Sequence, residues 1–207
     1  MIRALALVLG LVLVGCATLP KRQLCGSWPS EAYDYDLTTQ AWTAKTRIAD
    51  VYQEILELAA VFKSPQWRAA YANRDAYFRK LEGPQREARM AQAKAETEGP
   101  YEVALLVTTW DRRENDLDRG EKSIWRIVLV DEAGNEIKPL EIVKDKRPAF
   151  TVRADYPEYG DFATAYTARF PRDKELFGPG VQRLRLRMSG VRGGAEVTWT
   201  AQQSCQP

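Results

Sequence analysis

YEVALLVTTW (Tyr101–Trp110) and IWRIVLV (Ile124–Val130) decide how the chain reads. Both are short, β-branched and apolar, and turn residues bound them. Their centres, Ala104-Leu105-Leu106-Val107 and Ile127-Val128-Leu129-Val130, fit strands buried between two layers. Asp131-Glu132-Ala133-Gly134-Asn135 closes the second run as a turn, and Glu136–Val143 answers it, which predicts a hairpin. Thr151–Tyr156 and Tyr166–Phe170 read as further strands. Leu184, Leu186 and Met188 alternate with Arg183, Arg185 and Arg187, and Gly190 to Gly194 turn the chain into Glu196–Ala201. Short strands at regular spacing with Gly and Pro turns predict an antiparallel β-sandwich of immunoglobulin-like type.

Upstream the pattern is helical. Ser64 at an N-cap and Pro65 at the first helical position form a strong start signal. Trp67, Ala70, Tyr71, Arg74, Tyr77, Phe78 and Leu81 then recur at helical spacing, which predicts a packed face. Gly83-Pro84 ends that helix. Arg86–Glu98 has high helix propensity but only an alanine-based face, so it should pack loosely. Residues 31–63 admit two readings. Trp42, Ile48, Tyr52, Ile55, Ala59 and Phe62 fit a helix, whereas Tyr52, Leu56, Leu58, Ala60 and Phe62 fit alternation. A strand feeding into the Ser64-Pro65 start needs no sharp corner, which favours strands across Tyr33–Phe62. The expected architecture is α+β: a single β-sandwich domain over residues 31–207, with a helical insertion over about 65–98.

The amino terminus has the three parts of an export signal. Met1-Ile2-Arg3 is positive, Ala4–Val14 is apolar, and small Gly15 precedes Cys16. The apolar run is about half of the roughly 20 residues that cross a bilayer as a helix. Residues 1–15 therefore read as a cleaved signal and 16–30 as a tether, with Pro20, Gly26, Pro29 and Ser30 giving linker character.

Leu13-Val14-Gly15-Cys16 resembles the lipobox of bacterial lipoproteins. The resemblance implies cleavage between Gly15 and Cys16 and a diacylglycerol on the Cys16 thiol. Each buried CH₂ contributes about 0.8 kcal/mol, and two or more chains anchor stably. Ala17 in the position after the lipid implies, by the same resemblance, the outer membrane rather than the inner, facing the periplasm. Trp42-Thr43, Lys63-Ser64-Pro65-Gln66-Trp67-Arg68-Ala69-Ala70-Tyr71 and Trp125-Arg126 are similar to uncharacterised lipoproteins of Gram-negative envelopes, a similarity that implies no function.

Lys and Arg number 30 and Asp and Glu 28, and loss of residues 1–15 removes Arg3 and no acid. The mature chain is thus close to neutral, and no field steers it to nucleic acid. With Cys16 lipidated, Cys25 and Cys205 remain, near the two ends of the folded part. In a disulfide-permissive compartment they are expected to pair.

Candidate chemistry is sparse. The chain has no histidine, which removes Ser-His-Asp and Cys-His catalysis and the commonest zinc ligand. There is no CxxC pair, Gly-rich phosphate loop or HExxH motif. Asp111, Glu114, Asp116, Asp118 and Glu121 form an acidic loop in which Asp116-Leu117-Asp118-Arg119-Gly120 resembles part of a calcium-binding loop. The next acidic ligand is missing, Gly120 comes one place early, and Arg112, Arg113, Arg119 and Lys122 neutralise the loop, so a solvated, self-paired loop is expected. Arg183, Arg185 and Arg187 would share one strand face, either as its polar side or toward an anionic partner. No cofactor, metal or catalytic residue is assigned. The expected role is a lipid-anchored, non-catalytic module that binds or braces another envelope protein. A carrier of a lipid or small hydrophobic ligand and a carboxylate-based hydrolase are the alternatives.

Overall fold

The computed structural model describes residues 18–31, 33–172 and 175–205. Two antiparallel sheets carry the fold. One has strands β1 (Thr43–Ala49), β2 (Glu54–Phe62), β3 (Tyr101–Thr109), β6 (Glu141–Lys144) and β7 (Thr164–Phe170), in the order β1-β2-β3-β7-β6. The other has β4 (Trp125–Val130), β5 (Glu136–Ile137), β8 (Arg183–Gly190) and β9 (Gly193–Thr200), in the order β5-β4-β8-β9. Helices α1 (Tyr35–Trp42), α2 (Pro65–Phe78), α3 (Gly83–Glu96) and α4 (Ala149–Asp155) complete an α+β architecture. None of the described helices is long and apolar enough to cross a membrane.

Register explains the core. Leu58 lies opposite Val107 and Ala60 opposite Leu105, and Leu105 in turn lies opposite Tyr166, so one face of the larger sheet is apolar across three strands. In the smaller sheet Leu129 faces Leu186, Leu186 faces Val197, and Leu184 faces Trp199. All of these are buried. Phe62 from the larger sheet meets Trp199 from the smaller edge-on, with ring centroids 5.6 Å apart. The alternation read at Leu184, Leu186 and Met188 holds: these three are buried, while Arg185 and Arg187 lie opposite Thr198 and Glu196 on the other face. Val128 and Val130 sit beside Arg187 and Arg185 in register and are buried too, so the arginine stems shield apolar strand surface. At the β8–β9 turn Gly190 leaves room for its neighbours. A methyl there would come 2.4 Å from the Ile124 carbonyl oxygen and 2.9 Å from the Trp125 ring.

Four expectations need correction. Tyr33–Phe62 is not all strand. Asp34 caps α1 by accepting from the Leu37 N–H at 2.9 Å, and the helix passes directly into β1 at extended Thr43. Glu136–Val143 is not one hairpin arm. β5 pairs with β4, and after Pro139 the chain crosses to the other sheet, where β6 pairs with β7. Thr151–Tyr156 is not a strand but falls mostly in α4, which starts after Pro148 and buries Val152 and Asp155. Finally, α2 stops at Phe78 rather than at Gly83. Lys80 takes a left-handed backbone (φ 55°) and the Leu81 N–H returns to the Ala76 carbonyl at 2.8 Å, a close of the Schellman kind. The stripe predicted as core therefore divides: Trp67 and Ala70 are buried, whereas Tyr77 and Phe78 are exposed. α3 buries only Ala93, as its weak face implies.

The stretch read as tether is docked well before Ser30. Leu24 is fully buried, and Arg22 reaches the Ala41 carbonyl at 2.6 Å and the Thr200 carbonyl at 3.1 Å. Gln66 on α2 donates to the Lys21 carbonyl and accepts from the Gln23 N–H and the Trp42 indole.

Candidate functional site: a cation-rich cleft behind the larger sheet

The larger sheet turns its second face toward the helices, and there Glu102 interrupts an apolar strand. Opposite it in register stands Arg169 of β7, which is itself opposite Glu141 of β6. The chain leaves β2 at Lys63 and enters α2 through the Ser64 cap, whose hydroxyl accepts from the Trp67 N–H at 3.1 Å. This brings Lys63 and Arg68 over the sheet. Glu102 then accepts hydrogen bonds from Lys63 and Arg169, both at 3.0 Å, and forms an ion pair with Arg68 at 3.2 Å. Burial alone would raise the Glu102 carboxyl; Lys63, by charge and by hydrogen bond, together with Arg68 and Arg169 outweighs it and holds the group at about 2. Burial lowers the Lys63 ammonium, with Glu102 opposing.

A cleft of about 410 Å³ opens here. α2 contributes Trp67, Arg68 and Tyr71, and α3 contributes Arg89 and Glu96. The far wall is the 144–147 segment, with Lys144, Asp145, Lys146 and Arg147, followed by Asp155 and Tyr156 at the end of α4. Arg147 bridges Asp145 at 2.7 Å and Asp155 at 2.6 Å. The hydrogen bond to Asp145 leads the effects that hold its guanidinium above its ordinary value. Arg74 takes the other Asp155 oxygen at 3.1 Å. Three rings form the aromatic wall: Trp67 stacks on Tyr71 at 5.2 Å and on Tyr156 at 6.2 Å, with ring planes nearly parallel in both cases.

The lining is unbalanced. Lys63, Arg68, Arg89, Lys144, Lys146, Arg147 and Arg169 face the carboxylates of Glu96, Glu102, Asp145 and Asp155. Among the described residues Lys144 and Lys146 have no ion-pair partner, and buried Nη1 of Arg89 has no hydrogen-bond partner. A second, larger groove of about 680 Å³ lies around Tyr33, Asp34, Tyr77, Phe78 and Arg86, at the turn end of the α2–α3 hairpin.

The residues singled out in the sequence are distributed differently. Gly15 and Cys16 lie outside the described residues. Cys25 and Cys205 come together at disulfide distance, with Cα atoms 5.4 Å apart. In the acidic loop, Asp111 pairs with Arg113 at 2.7 Å and Glu114 with Arg192 at 3.2 Å, while buried Asp116 accepts from the Ser123 hydroxyl at 2.8 Å. Among the described residues no group of three or more His, Cys, Asp or Glu is placed to hold a metal. Arg183, Arg185 and Arg187 each meet a glutamate: Glu132, Glu196, and both Glu136 and Glu196. The cleft itself was missed. Its one local signal is Glu102, a carboxylate inside an otherwise apolar strand. Comparison with known protein families, with curated proteins and with solved structures found no match.

Proposed function

We propose that the protein is a lipid-anchored, non-catalytic binding module of the bacterial envelope, held through Cys16 in the outer membrane and facing the periplasm, where it binds or braces another envelope protein. The observation that carries this reading is the disulfide-distance pair Cys25–Cys205 close behind the lipobox-like Leu13-Val14-Gly15-Cys16. A pair of that kind suits an oxidising compartment, to which the leader would deliver the chain. The alternatives have less support. Side chains of both sheets meet in the interior and the cleft over the larger sheet is lined by charges, so neither place favours a hydrophobic cargo. The acidic loop spends Asp111 and Glu114 on arginines, which leaves little for carboxylate hydrolysis.

The test is metabolic labelling with a palmitate analogue and partitioning between detergent and aqueous phases. The wild-type chain is expected to take up label and enter the detergent phase. Cys16→Ser is expected to lose both properties. Label retained by Cys16→Ser would overturn the anchoring.

A further inference from the structure

We propose that the cleft between α2–α3 and the outer face of the larger sheet binds a small organic oxyanion, through a phosphate or carboxylate group. The inference goes beyond the envelope-module reading and stands on the cleft alone.

Three observations converge on it. First, cations outnumber carboxylates in the lining, and three of those cations are fixed in place by one carboxylate. Glu102 holds Lys63, Arg68 and Arg169 within 3.2 Å, so their donors are preorganised and a ligand need not order them. Second, donors remain unused. Arg89 is anchored by Nε to Asp75 at 2.8 Å, yet its buried Nη1 is without a partner among the described residues. A buried guanidinium N–H left unmade is costly, so a small side-chain shift that opens Nη1 to an anion oxygen is offset by the hydrogen bond it gains. At the rim, Lys144 and Lys146 add two cations with no ion pair among the described residues. Third, the cleft has the size and surface of a small-molecule site. Its volume of about 410 Å³ exceeds what a bare inorganic anion fills, and the Tyr71 and Tyr156 rings offer an apolar wall for a carbon skeleton. Glu96, 40% exposed, holds Arg68 at 2.9 Å from the open side, so an incoming oxyanion can replace it there.

The full chain, purified in a non-ionic detergent, is to be titrated calorimetrically at low salt with three probes: inorganic phosphate, citrate and glycerophosphoglycerol, the soluble headgroup of an anionic phospholipid. Saturable one-to-one binding of at least one probe is expected with Kd at or below about 1 mM, weakening as salt is added. Arg89→Gln and the double variant Lys144→Gln/Lys146→Gln should each weaken it about tenfold or more, the loss of one charge-assisted hydrogen bond. Tighter binding of glycerophosphoglycerol than of phosphate assigns the site to a lipid headgroup; the reverse assigns it to a free anion. No saturable heat from any probe up to about 10 mM, tenfold above that limit, overturns the proposal. So does binding that the rim variant leaves unchanged. The rim residues are exposed, so that variant decides the matter even if Arg89→Gln fails to fold. Acyl labelling reads the anchor independently, so failure of the site and failure of the anchor are distinguishable.

Discussion

Glu102 is the residue on which the cleft depends. Its carboxylate is the common counter-charge for three cations, and one of them, Arg68, is itself buried. Because the folded-state carboxyl sits near 2 and its ordinary value is 4.5, the group contributes stability that is fully present above about pH 4.5 and is lost as pH falls toward 2. Glu102→Gln should lower neutral-pH stability by about 3 kcal/mol, because it leaves the largely buried Lys63 without a counter-charge and Arg68 with Glu96 alone. It should also flatten acid unfolding between pH 4.5 and 2. Urea melts across that range check both effects. A variant as stable as wild type at neutral pH would mean that the three cations find other partners.

The Ser64 cap shows, among the elements, what a local signal can achieve. Hydroxyl, proline and helix start lie within three residues, and the structure reproduces them. Ser64→Ala should cost about 1 kcal/mol in denaturant melts, since the Trp67 N–H would lose its acceptor in a buried setting. β8 was equally legible, because alternating Leu and Arg needs no partner to be read. α1 and α4 were not. The Tyr35 hydroxyl donates to the Asp155 carbonyl at 2.5 Å and its ring packs on Trp67 and Tyr71, so each short helix is fixed by contacts with distant sequence. Thr151 and Val152 carry β propensity that this packing overrides. The split of Glu136–Val143 belongs to the same class: Pro139 signalled a break, but not that the chain would change sheets. The cleft was illegible for a related reason. β2's end, three helices, β3, β7 and the 144–147 segment all contribute to it, and only Glu102 looks out of place where it stands in the sequence.

The whole molecule is closed on itself near Cys25 and Cys205, 180 residues apart in sequence and 5.4 Å apart at Cα. A bridge spanning that separation limits the unfolded chain and should stabilise the fold by about 5 kcal/mol in the chain-entropy view. Reductant, or Cys205→Ala, should lower the thermal midpoint accordingly. An unchanged midpoint, together with thiols that react before reduction, would show that the pair is not bridged.

The docking of residues 21–25 has a mechanical corollary. A pull arriving along the chain before Lys21 would not find a hanging strand at residues 21–25. It would enter at Lys21 and Arg22 and spread at once to α2 through Gln66, to the end of α1 and to the tail of β9. The domain should answer such a pull as a stiff head, gripped through three elements at once.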